Sequence, residues 1–307
     1  MRISPQRSGF TMVEILVGIS IVGVLMAIVL PAVQAARESS RRMTCQNNLR
    51  QIGLGVHAFE DTHQAWPEFG AVYVELFPFI GQKPLYETLG GAQWRSAKFV
   101  YPSVPYQPVL KCPTDELAQP NEFKLDSGTE SSYAANFGTK PLEQARIGYG
   151  NGPFVNYSAR RIQLSDFTDG TSQTAALSER LVINSSSADQ RRRFGNTATS
   201  FALGDDKLFG DECRLRRILG YYVESGAARQ AKFYNHLLTP NLSGCLNGPD
   251  RVGIYSQQAI ISSSSQHTGG VNTLLADGSV RFIPNSIDQS VWQALGTPKG
   301  NESIGEF

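Results

Sequence analysis

The hydrophobic pattern begins with a stretch that has no polar face. From Ile15 to Val33 no residue carries a charge. Such a segment reads as a helix surrounded by apolar material on every side, not as one laid against a core. At about 1.5 Å per residue it spans about 28 Å, close to the hydrocarbon thickness of a bilayer. The pattern then narrows to a single stripe. Over Gln34 to Thr62, with no proline before Pro67, Leu49, Ile52, Val56 and Phe59 recur at steps of three and four on an otherwise polar helix. The two halves predict one rod, half in the membrane and half docked on a folded body; a break giving a separate second helix is the other reading. Gly53 and Gly55 either weaken the rod or admit the close approach of a neighbour.

After Trp66-Pro67 the character changes. Val72 to Ile80 is apolar and aromatic, and Lys83 to Leu89 reads as a short helix with Pro84 in its first turn. Five prolines fall between Pro102 and Pro120, which predicts an extended connection without ladder pairing. Arg191-Arg192-Arg193 reads as a solvated loop. The firmest strand signal is late: Val271 to Ala276, then Asp277-Gly278, then Ser279 to Ile283. It predicts a hairpin with a two-residue type I′ turn. Asp169-Gly170-Thr171-Ser172 resembles that turn, although its flanks alternate less cleanly.

Composition excludes several classes. Among 307 residues, 28 Lys and Arg oppose 27 Asp and Glu for a net charge of +1, which argues against a nucleic-acid partner. Hydrophobic residues at 41% suffice for a packed core. No G-x-S-x-G elbow and no phosphate-binding loop occurs, so no catalytic residue is assigned and the chain is read as a non-enzyme. His267 and Asp277 invite comparison with an acid–base pair. The structural reading is stronger: Asp277 and Gly278 belong to the turn, and a histidine ahead of Gly269-Gly270 can pin the hairpin by bonding backbone. There is no C-x-x-C, and His57 and His63 are six apart, so no metal site is assigned. Cys213 and Cys245 are a candidate disulfide across the region 188–248, if that part lies outside the cytoplasm.

The N-terminus admits two readings of export. Arg2 and Arg7 followed by the apolar run suit a signal peptide cut after Val33-Gln34-Ala35. Against this, the run exceeds an ordinary signal core, and Glu14 sits in its first turn. A carboxylate there costs about 2.5 kcal/mol or more in lipid, so it needs a partner. The hexapeptide Gly9-Phe10-Thr11-Met12-Val13-Glu14 resembles the processing motif of type IV prepilins and type II secretion pseudopilins. That resemblance implies cleavage by a prepilin peptidase between Gly9 and Phe10, N-methylation of Phe10, and pairing of Glu14 with the new amine of a neighbouring subunit. Pro31 stands where many pilins have a proline, and predicts a kinked or loosened helix. Arg37, Arg41 and Arg42 follow the apolar run, so charge leaves the orientation ambiguous.

Nearly the whole chain resembles the large prepilin-like family of planctomycete-type bacteria that carries a C-terminal H-x9-D-G motif. The resemblance rests on Cys45 to Leu54, Leu76 to Tyr86, Cys112-Pro113-Thr114-Asp115, Ser165 to Arg180, and His267 to Phe282, with nine residues between His267 and Asp277. The region 188–248 matches least and reads as an insertion. The resemblance implies an α+β fold: a long N-terminal helix packed on an antiparallel sheet with long loops. The expected divisions are a leader 1–9, an assembly helix 10–33, a stem 34–66 and a body 67–307, with the C-terminal hairpin at 270–283. The implied partners are like subunits, a prepilin peptidase, a secretion or pilus assembly platform, and the membrane. The implied location is the inner (cytoplasmic) membrane, crossed once, with the body extracytoplasmic and a surface filament as one outcome. No cofactor is implied, apart from calcium as an open candidate: related pseudopilins hold Ca²⁺ in a C-terminal loop, and Asp166, Asp169 and Glu179 offer oxygens here, although their spacing fails the EF-hand pattern. The rival reading is a surface-displayed polymer- or carbohydrate-binding protein that uses the helix only as an anchor, with Tyr101 to Tyr106 or Tyr221-Tyr222 as its binding face.

Overall fold

A computed structural model describes residues 12–68, 72–91, 103–104, 107–117, 123–124, 131–142, 150–154, 160–182, 188–192, 194–202, 204–215, 218–222, 233–248, 258–302 and 305, with 103–104, 123–124 and 218–222 described by backbone alone. Gly9 and Phe10 lie outside the described residues, as does the Tyr101 to Tyr106 face apart from the backbone of 103–104. Of Tyr221 and Tyr222 only the backbone is described.

The rod is one helix. Helix α1 runs unbroken from Met12 to His63, through Pro31. Its apolar half is exposed along its whole length, Ile15 to Val33 included, whereas Cys45, Leu49, Ile52, Val56 and Phe59 are buried. The periodicity explains the difference. An all-round apolar helix has no single face to bury, while the stripe of the second half presents one. Gly53 and Gly55 serve this docking. A methyl at Gly53 would come within 2.8 Å of Leu274, and one at Gly55 within 2.5 Å of Ile80.

After the stem come the short helices α2 (Val72–Leu76) and α3 (Lys83–Thr88), joined by a 3-10 turn over Phe77–Ile80. Strands β1 (Ser103–Val104) and β2 (Phe123–Lys124) then pair antiparallel. This corrects the expectation of an unpaired proline-rich connection: Ser103 and Val104, set between Pro102 and Pro105, keep the amides that a ladder needs.

Two larger sheets follow. Strands β3 (Tyr133–Asn136), β4 (Ala175–Glu179), β7 (Phe233–Tyr234), β10 (Gly270–Leu275) and β11 (Val280–Pro284) form the first, in the order β11-β10-β4-β3-β7. It is antiparallel except where β3 meets β7. Strands β5 (Phe194–Thr197), β6 (Ile218–Tyr222), β8 (Gly244–Leu246) and β9 (Ala259–Ile260) form the second, in the order β6-β5-β8-β9. Helix α4 (Asp206–Arg214) lies beside it with a small core of Phe209, Cys213, Leu238, Cys245 and Ile260. A last helix, α5 (Gln289–Ala294), buries Trp292. The architecture is α+β and pilin-like, and the region 188–248 is most of a sheet.

The C-terminal hairpin has a different turn from the one expected. Leu274 is the last residue paired, opposite Val280. Gly278 donates to Leu275 O and Leu275 N donates to Ser279 O, and only Gly278, at φ 86°, has a positive φ in the turn. The loop is therefore Ala276-Asp277-Gly278, a type I turn closed by a left-handed glycine, and not type I′. Asp277 Oδ1 accepts from Ser279 N and Oγ, which holds the aspartate in the right-handed region and leaves the positive φ to the glycine.

Candidate functional site at the stem–body junction

The motifs that are scattered through the sequence converge where α1 meets the body. Cys45 on α1 is disulfide-bonded to Cys112, 67 positions further along the chain, with Cα atoms 5.0 Å apart. Around that bond the stem is held by polar contacts. Asn48 Nδ2 donates to Lys111 O at 2.8 Å and to Tyr133 Oη at 3.2 Å. Gln46 Nε2 donates to Asn272 Oδ1 at 3.0 Å, and the Arg42 guanidinium lies 3.6 Å over the Phe282 ring.

His267 sits beside the disulfide. Its Nδ1 lies 2.7 Å from Glu38 Oε1 on α1, and its Nε2 lies 3.3 Å from Glu179 Oε1 on β4. The same Nε2 is 3.6 Å from Cys112 Sγ. Burial acts to lower the imidazole pKa, but the Glu179 hydrogen bond and charge, reinforced by Glu38, raise it above its usual value. Glu179 is held in turn by Asn272, which donates its backbone N–H at 2.9 Å and its Nδ2 at 2.8 Å. This corrects the sequence reading of His267: both ring nitrogens face carboxylates, not backbone, because the stem delivers Glu38 to one side and β4 delivers Glu179 to the other. His267 and Asp277 are not brought together. They stand at opposite ends of β10, whose six residues extend about 20 Å.

The second correction concerns the arginines. Arg191 and Arg192 end a 3-10 turn over Gln190–Arg192. Arg192 is buried and pairs with Asp115 at 2.6 Å, while Arg191 pairs with Asp189 at 2.7 Å. They are anchors and not a solvated run, because buried Asp115 requires a cation. Arg193 lies outside the described residues. Arg180 is also buried. Burial, with Arg192 nearby, pushes its pKa down to about 10, and its Nη1 donates to Ser264 Oγ and Arg191 O.

The oxygens named for calcium are dispersed. Asp166 pairs with Arg160 at 2.8 Å and Lys299 at 2.6 Å. Burial acts against its charge, yet those cations hold its carboxyl well below the usual range. Asp169 accepts from the Gly300 and Asn301 amides, and Glu179 belongs to the His267 cluster. Cys213 and Cys245 are joined in the structure, with Cα atoms 6.0 Å apart. Glu14 lies in the first turn of α1, among exposed apolar side chains.

Sequence reasoning missed Glu38, the Cys45–Cys112 bond and the Asp115–Arg192 pair. The available signal was that Cys45, Cys112 and Asp115 all fall in the stretches that carry the family resemblance. Four donor atoms, one each from Cys45, Cys112, Glu179 and His267, lie within 4.8 Å of one another.

Comparison with known proteins gives two matches. Residues 4–30 match the prokaryotic N-terminal methylation motif. Residues 34–290 match the family described as protein of unknown function (DUF1559), across the second sheet as well as the junction. No curated protein and no solved structure matches the chain. The methylation motif together with the apolar half of α1 marks a single-pass, membrane-anchored, type IV pilin-like subunit. With 34–290 matched as one stretch behind that motif, the chain belongs to the DUF1559 family of prepilin-like proteins.

Proposed function

We propose that the chain is a non-enzymatic prepilin-like subunit, processed by a prepilin peptidase between Gly9 and Phe10 and methylated at Phe10. Mature subunits then bundle through their N-terminal helices into a pilus or secretion pseudopilus. Glu14 of one subunit compensates the Phe10 amine of the next, so that two charges costly in lipid neutralise each other. The divisions into leader 1–9, assembly helix 10–33, stem 34–66 and body 67–307 belong to the same proposal. So does the location: the inner membrane, with the body in an extracytoplasmic compartment where two disulfides persist.

The observation that carries this reading is the division of α1 into an exposed apolar half and a docked half. A helix whose second half is clamped to the body presents its first half as a rigid, uniformly apolar surface for neighbouring helices. Mass spectrometry of the N-terminus in envelope material tests it, with N-methyl-Phe10 expected. A chain that keeps residues 1–9, or begins at Ala36, overturns it. Glu14→Ala should leave insertion intact and abolish cross-linking between subunits; unchanged assembly would remove Glu14 from the mechanism.

A further inference from the structure

The stem–body junction has a chemistry that anchoring alone does not require. A disulfide needs no imidazole beside it and no carboxylate behind the imidazole. Here the buried set of Cys45, Cys112, Glu179 and His267 places its donor atoms within 4.8 Å of one another. A tetrahedral zinc site, with bonds of about 2.0–2.3 Å, puts neighbouring donor atoms about 3.3–3.8 Å apart. Three distances in the cluster already lie near that range: His267 Nε2 to Glu179 Oε1 at 3.3 Å, His267 Nε2 to Cys112 Sγ at 3.6 Å, and Cys112 Sγ to Glu179 Oε1 at 4.0 Å. The short edge is the one between the two sulfurs, because they are bonded.

The surroundings are those of a ligand set. His267 presents Nε2 to the cluster because Glu38 engages Nδ1 at 2.7 Å, the carboxylate–histidine arrangement that orients metal-binding imidazoles. Glu179 is fixed by two donors from Asn272. The His267 and Glu179 side chains are 1% and 2% exposed.

We propose that the junction has a second, reduced state in which Cys45, Cys112, His267 and Glu179 bind a zinc-class divalent cation in place of the disulfide. A dithiol supplies the two electrons and two protons that convert the Cys45–Cys112 bond into two thiols, and is itself oxidised to a disulfide. On binding, each thiol gives up its proton to solvent, and Nε2 of His267 gives up its own when it carries one. Glu179 binds as the carboxylate. Two thiolates with one imidazole and one carboxylate suit zinc rather than magnesium or calcium. The stem is thereby clamped to the body by a bond in one state and by an ion in the other. The inference does not depend on filament assembly.

The test uses the full chain in detergent, reduced anaerobically with a phosphine and titrated with Co²⁺ as a spectroscopic stand-in for Zn²⁺. The expected result is one equivalent taken up, with intense tetrahedral d–d bands and a thiolate-to-cobalt charge-transfer band, both bleached by Zn²⁺. The oxidised chain gives neither band. Cys213→Ser/Cys245→Ser should retain the signal, whereas Cys45→Ser/Cys112→Ser should weaken binding at least 100-fold. Glu38→Gln should weaken it about 10-fold, as loss of an orienting partner does. The proposal is overturned if the reduced, folded wild type binds no better than Cys45→Ser/Cys112→Ser, or if reduction unfolds the body even with the ion present.

Discussion

Arg192 and Asp115 meet at 2.6 Å with both side chains only 2% exposed, although 77 positions separate them. Asp115 follows the cysteine that fastens the stem, and Arg192 stands at the entrance to β5 and the second sheet. Its other donor, Nη1, reaches Val182 O at 2.8 Å, and Asp115 Oδ2 accepts from Val182 N at 2.8 Å. One ion pair therefore ties the stem anchor, the segment after β4 and the second sheet together.

Removing one partner strands the other in a site with little water. Arg192→Met should destabilise the body by about 3–5 kcal/mol, while Asp115→Asn combined with Arg192→Met should cost much less than the sum of the two single changes. Denaturant midpoints for the four proteins check it. Additive costs would show that the pair is not a coupled unit.

The two stem glycines should respond differently to alanine. Alanine is worth about 1 kcal/mol over glycine within a helix, so each change begins with a gain. At Gly53 the obstacle is the far end of Leu274, which can turn aside, and the net effect should be near zero. At Gly55 the obstacle is a methyl on the branched carbon of Ile80, which is stiff. Gly55→Ala should therefore destabilise by about 1–2 kcal/mol, within the usual range for overpacking. Thermal unfolding of both variants beside exposed Leu54→Ala is the measurement, and stabilisation at both sites would contradict the docked stem.

His236 gives the body a dependence on pH. It is fully buried, with Nδ1 donating to Trp292 O at 2.6 Å and Nε2 facing Tyr234 Oη at 3.2 Å. Burial pushes its pKa down to about 3, and the Trp292 bond offsets this only in part. The folded pKa lies below the unfolded value of about 6.5, so the unfolded chain binds more protons between those limits. Stability from this group is fully present above pH 6.5 and is lost as pH falls toward 3, with a slope of up to about 1.4 kcal/mol per pH unit. His236→Asn, which keeps a donor for Trp292, should flatten this window. Unfolding free energies of wild type and variant at pH 7, 5 and 4 decide it, and parallel slopes would remove His236 as the cause.

What the sequence alone determined is what depends on near neighbours. The apolar run, the stripe Leu49, Ile52, Val56 and Phe59, the short helix at Lys83 and the C-terminal hairpin all follow from periods of a few residues, and all stand in the fold. The turn at Asp277-Gly278 was legible as a turn, but its type depended on how Leu275 and Ser279 pair. The junction belongs to the tertiary structure. Glu38 and Cys45 on α1, with Cys112, Glu179 and His267, are drawn from four distant segments, and no spacing along the chain encodes the meeting of those segments. Only the seating of α1 on β10 and β11, driven by burial of the stripe, decides that they share one site. Arg192 makes the same point in reverse: three arginines in a row read as solvated until the fold places Asp115 opposite one of them, because a buried carboxylate is stable only beside a cation.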